Sequence, residues 1–422
     1  MRRRLFLGAL FVVVAVFAAF AISRIFPPEP YGLADDWRVF VAASQLVQQG
    51  GSPYDTTAIH VAEQSAQHYA TVQPSLDDFT DLPLVAVLLR VITWLPYWWS
   101  FAVFTALGVM LAATALWRWM RDTGWRTTGA WLVAAMCSWP MLLGFFSGQF
   151  DALLLAGTIG SLLLMRRNRP VLAALCMLAV LFKPHLLWPL PALLAVTWSP
   201  ARERLRFIAV AAIALAAGAL AGFLIVPGSS QFFGHLLGFG SRVSAVQPDL
   251  SGIPGIVQHL PAGGALVIVV ATIGVVGVVV LGVVGARQAT SSFEVRATIV
   301  LTGVAVWLAC APYAHPNDDI VLFPLLALVA GADARHLATR SLPLLAVASL
   351  AVLPMVWPFH VLTVPITPVA VALVALAGFA HLRSLLRPEA QDSVRERQRR
   401  RRILGVVVES ASGLSSQTAG GN

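Results

Sequence analysis

Long apolar runs alternate with short polar joints along nearly the whole chain. The runs predict helices at about 5–24, 98–117, 127–146, 150–165, 170–182, 185–198, 205–226, 264–285, 295–312, 318–332, 341–357 and 364–382. They are continuous rather than alternating with a period of two, so a membrane-spanning reading requires helices and not barrel strands. The joints are of two kinds. One set carries Arg: Arg118, Arg121 and Arg126; Arg166, Arg167 and Arg169; Arg202, Arg204 and Arg206; Arg287 and Arg296; Arg335 and Arg340. The other set carries Asp, His, Gln, Asn and Lys183. By the positive-inside rule the arginine joints and both termini are expected on the cytoplasmic side. The expected fold is therefore an all-α polytopic membrane protein with about 12 transmembrane helices.

Composition supports this class. The 422 residues are 58% hydrophobic and 12% charged, about half the charged content of a soluble domain. The net charge of +9 sits largely in the arginine joints and the run Arg395–Arg402. That placement fits anionic lipid rather than nucleic acid. Cys137, Cys176 and Cys310 lie inside apolar runs and show no pairing or metal spacing. Met1 to Ser23 reads as a signal peptide or an uncleaved anchor, and the span count favours the anchor.

The finer organisation has four features. The runs 152–165 and 171–182 are short for a core of about 30 Å and imply local thinning or recessed helices. Leu82–Pro96 is apolar but holds Arg90, and reads as a re-entrant or interfacial helix. The first external joint, 25–97, contains two short amphipathic helices, Asp36–Gln49 and Ala58–Tyr69, separated by a turn at Gly50–Asp55. A second large external joint covers 227–263. Residues 1–382 thus form one membrane domain, and 383–422 a basic cytoplasmic tail that is partly disordered.

Four polar groups converge on the external side: Asp35 and Asp36; Gln149 and Asp151; Lys183 and His185; and the segment from Tyr313 through His315 and Asn317 to Asp319. Ionisable groups at membrane depth are costly and so are functional candidates. Asp36 reads as a general base or as a helix cap, with Asp35 able to supply the cap. Lys183 reads as a phosphate contact or as a snorkelling helix-end lysine, and Arg90 and Arg242 are further phosphate candidates. Gln149 reads as a sugar contact or as an interhelical hydrogen bonder. His315 reads as a phosphate, base-orienting or sugar contact, or as a loop residue. No known ligand spacing links His315, Asp318 and Asp319. No cofactor is expected, and a divalent metal stays open.

In this order the clusters resemble the GT-C glycosyltransferases of family 87. Asp36-Trp37-Arg38-Val39-Phe40 resembles the Asp-x-x-Val-aromatic signature of that family, and Gly50-Gly51-Ser52-Pro53-Tyr54 its Gly-x-x-Pro-Tyr turn. Gly148-Gln149-Phe150-Asp151 resembles Gly-Gln-x-Asn, with Asp151 in place of Asn. Lys183-Pro184 resembles its Lys-Pro, and Pro312-Tyr313-Ala314-His315 its late Pro-x-x-His. Asp81-Leu82-Pro83 stands where the family has Tyr-Pro-Pro. The resemblance implies a GT-C-like fold in a bacterial cell membrane and a polyprenyl-phosphate sugar donor. It further implies a glycolipid or glycan acceptor and inverting transfer of mannose or arabinofuranose on the extracytoplasmic face. It makes Asp36 and His315 catalytic candidates, Lys183, Arg242 and Arg90 phosphate candidates, and Gln149, Asp151, His185, Tyr54 and Asn317 sugar or acceptor candidates. The alternative is a transporter or flippase of a lipid-linked sugar, for which paired repeats would be expected.

Overall fold

The computed structural model describes residues 34–67, 78–123, 132–133, 135–235, 250–332 and 366–387. Every regular element among them is helical. The first two are the external helices α1 (Asp35–Gln48) and α2 (Thr56–Gln67), followed by the short apolar α3 (Pro83–Thr93) and the long α4 (Tyr97–Asp122). Next come α5 (Trp139–Ser147), α6 (Asp151–Arg166) and α7 (Pro170–Cys176), the last continued by a 3-10 turn at Met177–Phe182. The chain goes on through α8 (Pro184–Leu187), α9 (Pro189–Thr197), α10 (Ala201–Ile225), α11 (Ile253–Val257), α12 (Gly263–Arg287) and α13 (Phe293–Cys310). A 3-10 segment, Pro316–Leu322, leads into α14 (Phe323–Ala332), and α15 (Ile366–Leu385) is the last element described.

Five of these helices are long and apolar enough to cross a membrane: α4, α10, α12, α13 and α15. They fall where the apolar pattern put spans. The expected runs 150–165, 170–182, 185–198 and 318–332 are shorter or broken helices. Trp188 divides α8 from α9, and the stretch from Pro316 begins as a 3-10 segment. The expected spans 5–24 and 341–357, residues 236–249 of the second external joint and most of the basic tail lie outside the described residues, as does part of 127–146. The described helices therefore supply five spans toward the twelve expected. The amphipathic pair of the first external joint is present as α1 and α2. Leu82–Pro96 contains the 11-residue α3, which buries Val85, Ala86 and Leu89 and exposes Leu88, Arg90 and Val91.

Two packing solutions position the site. α3 lies against α10, where Gly218 and Gly222 supply a small-xxx-small face. A Cβ at Gly222 would collide with the backbone nitrogen of Leu84. α1 is tied to α2 by an ion pair between Arg38 and Glu63, 3.2 Å apart with both side chains fully buried. The start of α1 is held from two sides: Ala34 N–H donates to the Phe146 carbonyl at 2.6 Å, and Tyr97 Oη–H donates to the Ala34 carbonyl at 2.7 Å.

The bundle has chemically different ends. At one end Arg167 pairs with Asp122 at 3.3 Å, and Arg296 donates to the Thr197 carbonyl. α6 runs from that end to the other, where its first residue, Asp151, is buried. At 1.5 Å per residue α6 separates the ends by about 24 Å. Gly222→Ala is expected to lower stability by about 1–3 kcal/mol through overpacking against α3. The check is a thermal melt in detergent, and an unchanged melt would remove the close contact.

Candidate functional site

Helix breaks bring the site together. Lys183 sits between the 3-10 turn after α7 and Pro184, with extended backbone (φ −143°, ψ 70°). His315 precedes Pro316 in the same way (φ −100°, ψ 161°). A residue before proline is pushed out of the helical region, so its side chain leaves the helix rows. Asp151 lies at the start of α6, directly after the turn through Gly148. Gly148 has φ +83°, and a Cβ on it would approach the Trp37 Cβ to 2.7 Å. Only glycine combines that backbone with that proximity to α1.

The Lys183 ammonium donates to Asp318 Oδ1 at 2.6 Å and to Asp151 Oδ1 at 3.0 Å. Asn317 Nδ2 donates to the other Asp151 oxygen at 2.9 Å, and the His315 backbone N–H to the other Asp318 oxygen at 2.7 Å. Asp319 turns the other way and accepts from Ser251 Oγ at 3.3 Å. Lys183, Asp151, Asn317, Asp318 and Asp319 are all buried. Above this base the rings of His185 and Tyr313 lie 5.9 Å apart, and those of Tyr313 and His315 4.7 Å apart, edge to face. His185 is exposed to solvent.

Asp81 lies near this cluster in the loop before α3. Tyr54 Oη–H donates to its carbonyl at 2.7 Å and so fixes the loop. Burial pushes the Asp81 carboxyl up to about 7. Lys183 opposes that rise, while the charges of Asp36 and Asp318 add to it. Lys183, Asp36 and Asp318 thus each lie close enough to Asp81 to act on its carboxyl. Asp36 itself is half-buried in the first turn of α1. The N-cap position there is Ala34, with φ 63° and no side-chain cap bond, so neither aspartate occupies the cap. Among the described residues nothing hydrogen-bonds the Asp36 carboxylate.

The other candidates divide. Asn317 and Asp151 are joined within the cluster, and His185 and His315 stand at its edge. Tyr54 is buried, with its hydroxyl committed to the Asp81 loop rather than to open space. Gln149 lines a neighbouring apolar cavity. Arg90 projects from the exposed face of α3 and makes no hydrogen bond or ion pair among the described residues. Arg242 and the side chain of Asp35 lie outside the described residues. No group of three His, Cys, Asp or Glu able to hold a metal occurs among the described residues. Between Asp151 and Asp318 the cation is an ammonium. Sequence reasoning noted Asp81 only as a departure from Tyr. The available signal was a carboxylate at the mouth of an apolar, Pro-initiated segment.

An apolar helical bundle with a buried charged cluster at one end defines this chain as a membrane protein. Residues 79–312, more than half of the chain, match glycosyltransferase family 87, and the chain belongs to that family. It is accordingly a glycosyltransferase. The matched range includes Asp81, Asp151 and Lys183, and stops short of Asp36 and of the segment from His315 to Asp319. No curated protein matches the chain.

Two outcomes follow. Lys183→Met leaves two buried carboxylates without their cation and is expected to lower stability by about 3–5 kcal/mol. Adding Asp318→Asn should recover part of that loss in chemical or thermal melts, and a neutral Lys183→Met would contradict the network. The raised Asp81 carboxyl holds its proton more tightly in the folded state than in the unfolded one. Its contribution to stability is therefore present in acid and is lost as pH rises through about 7. Asp81→Asn should melt above wild type at pH 8 and close to it near pH 4, with the difference growing between the two. A difference independent of pH would rule out that titration.

Proposed function

We propose that the protein transfers a sugar, mannose in the favoured case, from a polyprenyl-phosphate donor to a lipid-linked or cell-envelope glycan. The transfer takes place on the extracytoplasmic face, at the polar groups Asp36, Asp81 and the Lys183 cluster. The observation that carries this reading is the contrast among the carboxylates. Asp151 and Asp318 are locked to Lys183, whereas the Asp36 carboxylate, near enough to act on Asp81, has no hydrogen bond among the described residues.

The chemistry needs one base. Asp36 takes the proton of the acceptor hydroxyl, and that oxygen attacks the anomeric carbon as the bond to the phosphate oxygen breaks. The polyprenyl phosphate leaves with the electron pair and the configuration inverts. A phosphate leaves without a general acid but needs donors for its growing charge. Lys183 has three N–H groups, of which Asp151 and Asp318 take two. The third remains for the donor phosphate, with His185 beside it. In this scheme the network sets the direction of the ammonium, and Asp151 and Asn317 position Lys183 rather than meeting the sugar first. The separation of this cluster from the arginine end supports the extracytoplasmic assignment, because the positive-inside rule puts arginine on the cytoplasmic side.

Asp36→Asn should reduce transfer by about 10²–10⁴-fold, the range for loss of a general base, with an unchanged melting temperature. The assay is purified protein with prenyl-phosphate sugars and mass spectrometry of the glycolipid products. Full activity in that variant would remove Asp36 as the base.

A further inference from the structure

A cavity of about 150 Å³ lies beside the charged cluster, between α3, α4, α5 and α6. Its wall is apolar, with Ile92, Phe104, Leu107, Leu111, Phe145 and Leu153 among the lining side chains. Its mouth opens on the outer face of the span α4, where Leu107 and Leu111 are 49% and 38% exposed. Gly144 separates it from the cluster: a Cβ there would stand 2.7 Å from Asp151 Oδ2.

Two polar groups break the apolar wall, and each has a buried oxygen without a hydrogen-bond partner among the described residues. Thr105 is 9% exposed, and its hydroxyl makes no hydrogen bond. Thr158, Thr197, Thr272 and Thr298 each return their hydroxyl to the carbonyl four residues earlier in the helix. Thr105 does not. The Gln149 amide oxygen is likewise buried without a partner. Leaving such groups unsatisfied is costly, so an occupant that satisfies both is favoured. A prenyl chain fills apolar space but offers neither a donor nor an acceptor. A lipid with a hydroxyl next to its chain offers both.

We propose that this recess binds a membrane amphiphile whose chain enters past Leu107 and Leu111 and whose hydroxyl donates to Gln149 and pairs with Thr105. In the glycosyl-transfer reading this makes it the acceptor's subsite, and that assignment alone rests on the reading. Binding can be tested without any donor.

The experiment uses the full chain in nanodiscs and native mass spectrometry. The probes are 1-O-dodecylglycerol, its dimethyl ether and farnesyl phosphate. The alkylglycerol should bind saturably and the ether about fivefold more weakly. Thr105→Val should reduce the alkylglycerol toward the ether's affinity and leave the ether unchanged, and Gly108→Leu should exclude both by filling the cavity. Without ligand, Thr105→Val should melt at or above wild type, since it removes an unsatisfied hydroxyl. Equal binding of alkylglycerol and ether, displacement of both by farnesyl phosphate with Thr105→Val silent, or no saturable binding would each overturn the proposal. A lower melt for Thr105→Val without ligand would do the same. Transfer that fails while the alkylglycerol still binds would count against the reaction assigned above and not against this site.

Discussion

The Lys183 ammonium, held between Asp151 and Asp318, is the interaction on which the arrangement depends. It joins three segments far apart in sequence, with Lys183 and Asp318 separated by 135 residues. Hydrophobic contact between apolar helices is non-directional and cannot choose one register of these breaks over its neighbours. A buried ammonium with two hydrogen-bonded carboxylates can, because every displaced arrangement leaves charge unpaired at low dielectric. Asn317 and the His315 backbone N–H take the remaining carboxylate oxygens, so the network closes with its acceptors satisfied.

That closure changes how the carboxylates are read. Asp151 and Asp318 are the most conspicuous acids in the buried bundle, yet a carboxylate already paired at 2.6–3.0 Å is a poor proton acceptor. Asp36 enters from outside the bundle on a helix anchored through Ala34 and through Trp37 against Gly148. A rigid attachment, with no hydrogen bond to the carboxylate among the described residues, would suit the general base proposed for Asp36. Asp81 adds a second acid on the same side. Burial pushes its carboxyl up to about 7, so at neutral pH Asp81 is only partly ionised and repels its acidic neighbours less.

Much of the fold is legible in the apolar pattern, for a simple reason. α4, α10, α12, α13 and α15 each consist of one uninterrupted run, and run length alone defines them. The external helices also fell within two residues of their expected limits, as Asp35–Gln48 and Thr56–Gln67, because their turn at Gly50–Asp55 has strong local chemistry. The broken elements were less legible. Pro189 restarts a helix after Trp188, and Pro316 opens a 3-10 segment where a span was expected. The pairings were not legible at all. Nothing local in Lys183-Pro184-His185 says that both lysine partners come from Asp151 and Asp318. Nothing in Tyr54 says that its hydroxyl holds Asp81. Those contacts are products of packing between segments, and a single sequence records only that the residue types are unusual for their depth.

Proline supplies the common cause behind these features. Lys183 precedes Pro184, His315 precedes Pro316, and Asp81 stands two residues before Pro83. In each case proline opens the following helix, where its missing N–H is no loss, and forces the preceding residue into an extended conformation. Backbone freed in this way is tolerated inside a bilayer only where it is buried in protein or lines a cavity. The same three breaks that end helices too early for a regular span are thus the places where polar side chains can leave the helix surface and meet. Short, interrupted helices at one end of the bundle are the structural condition for gathering a lysine, two histidines and several aspartates at membrane depth. A bundle of full-length spans would have kept each of them in its own helical row.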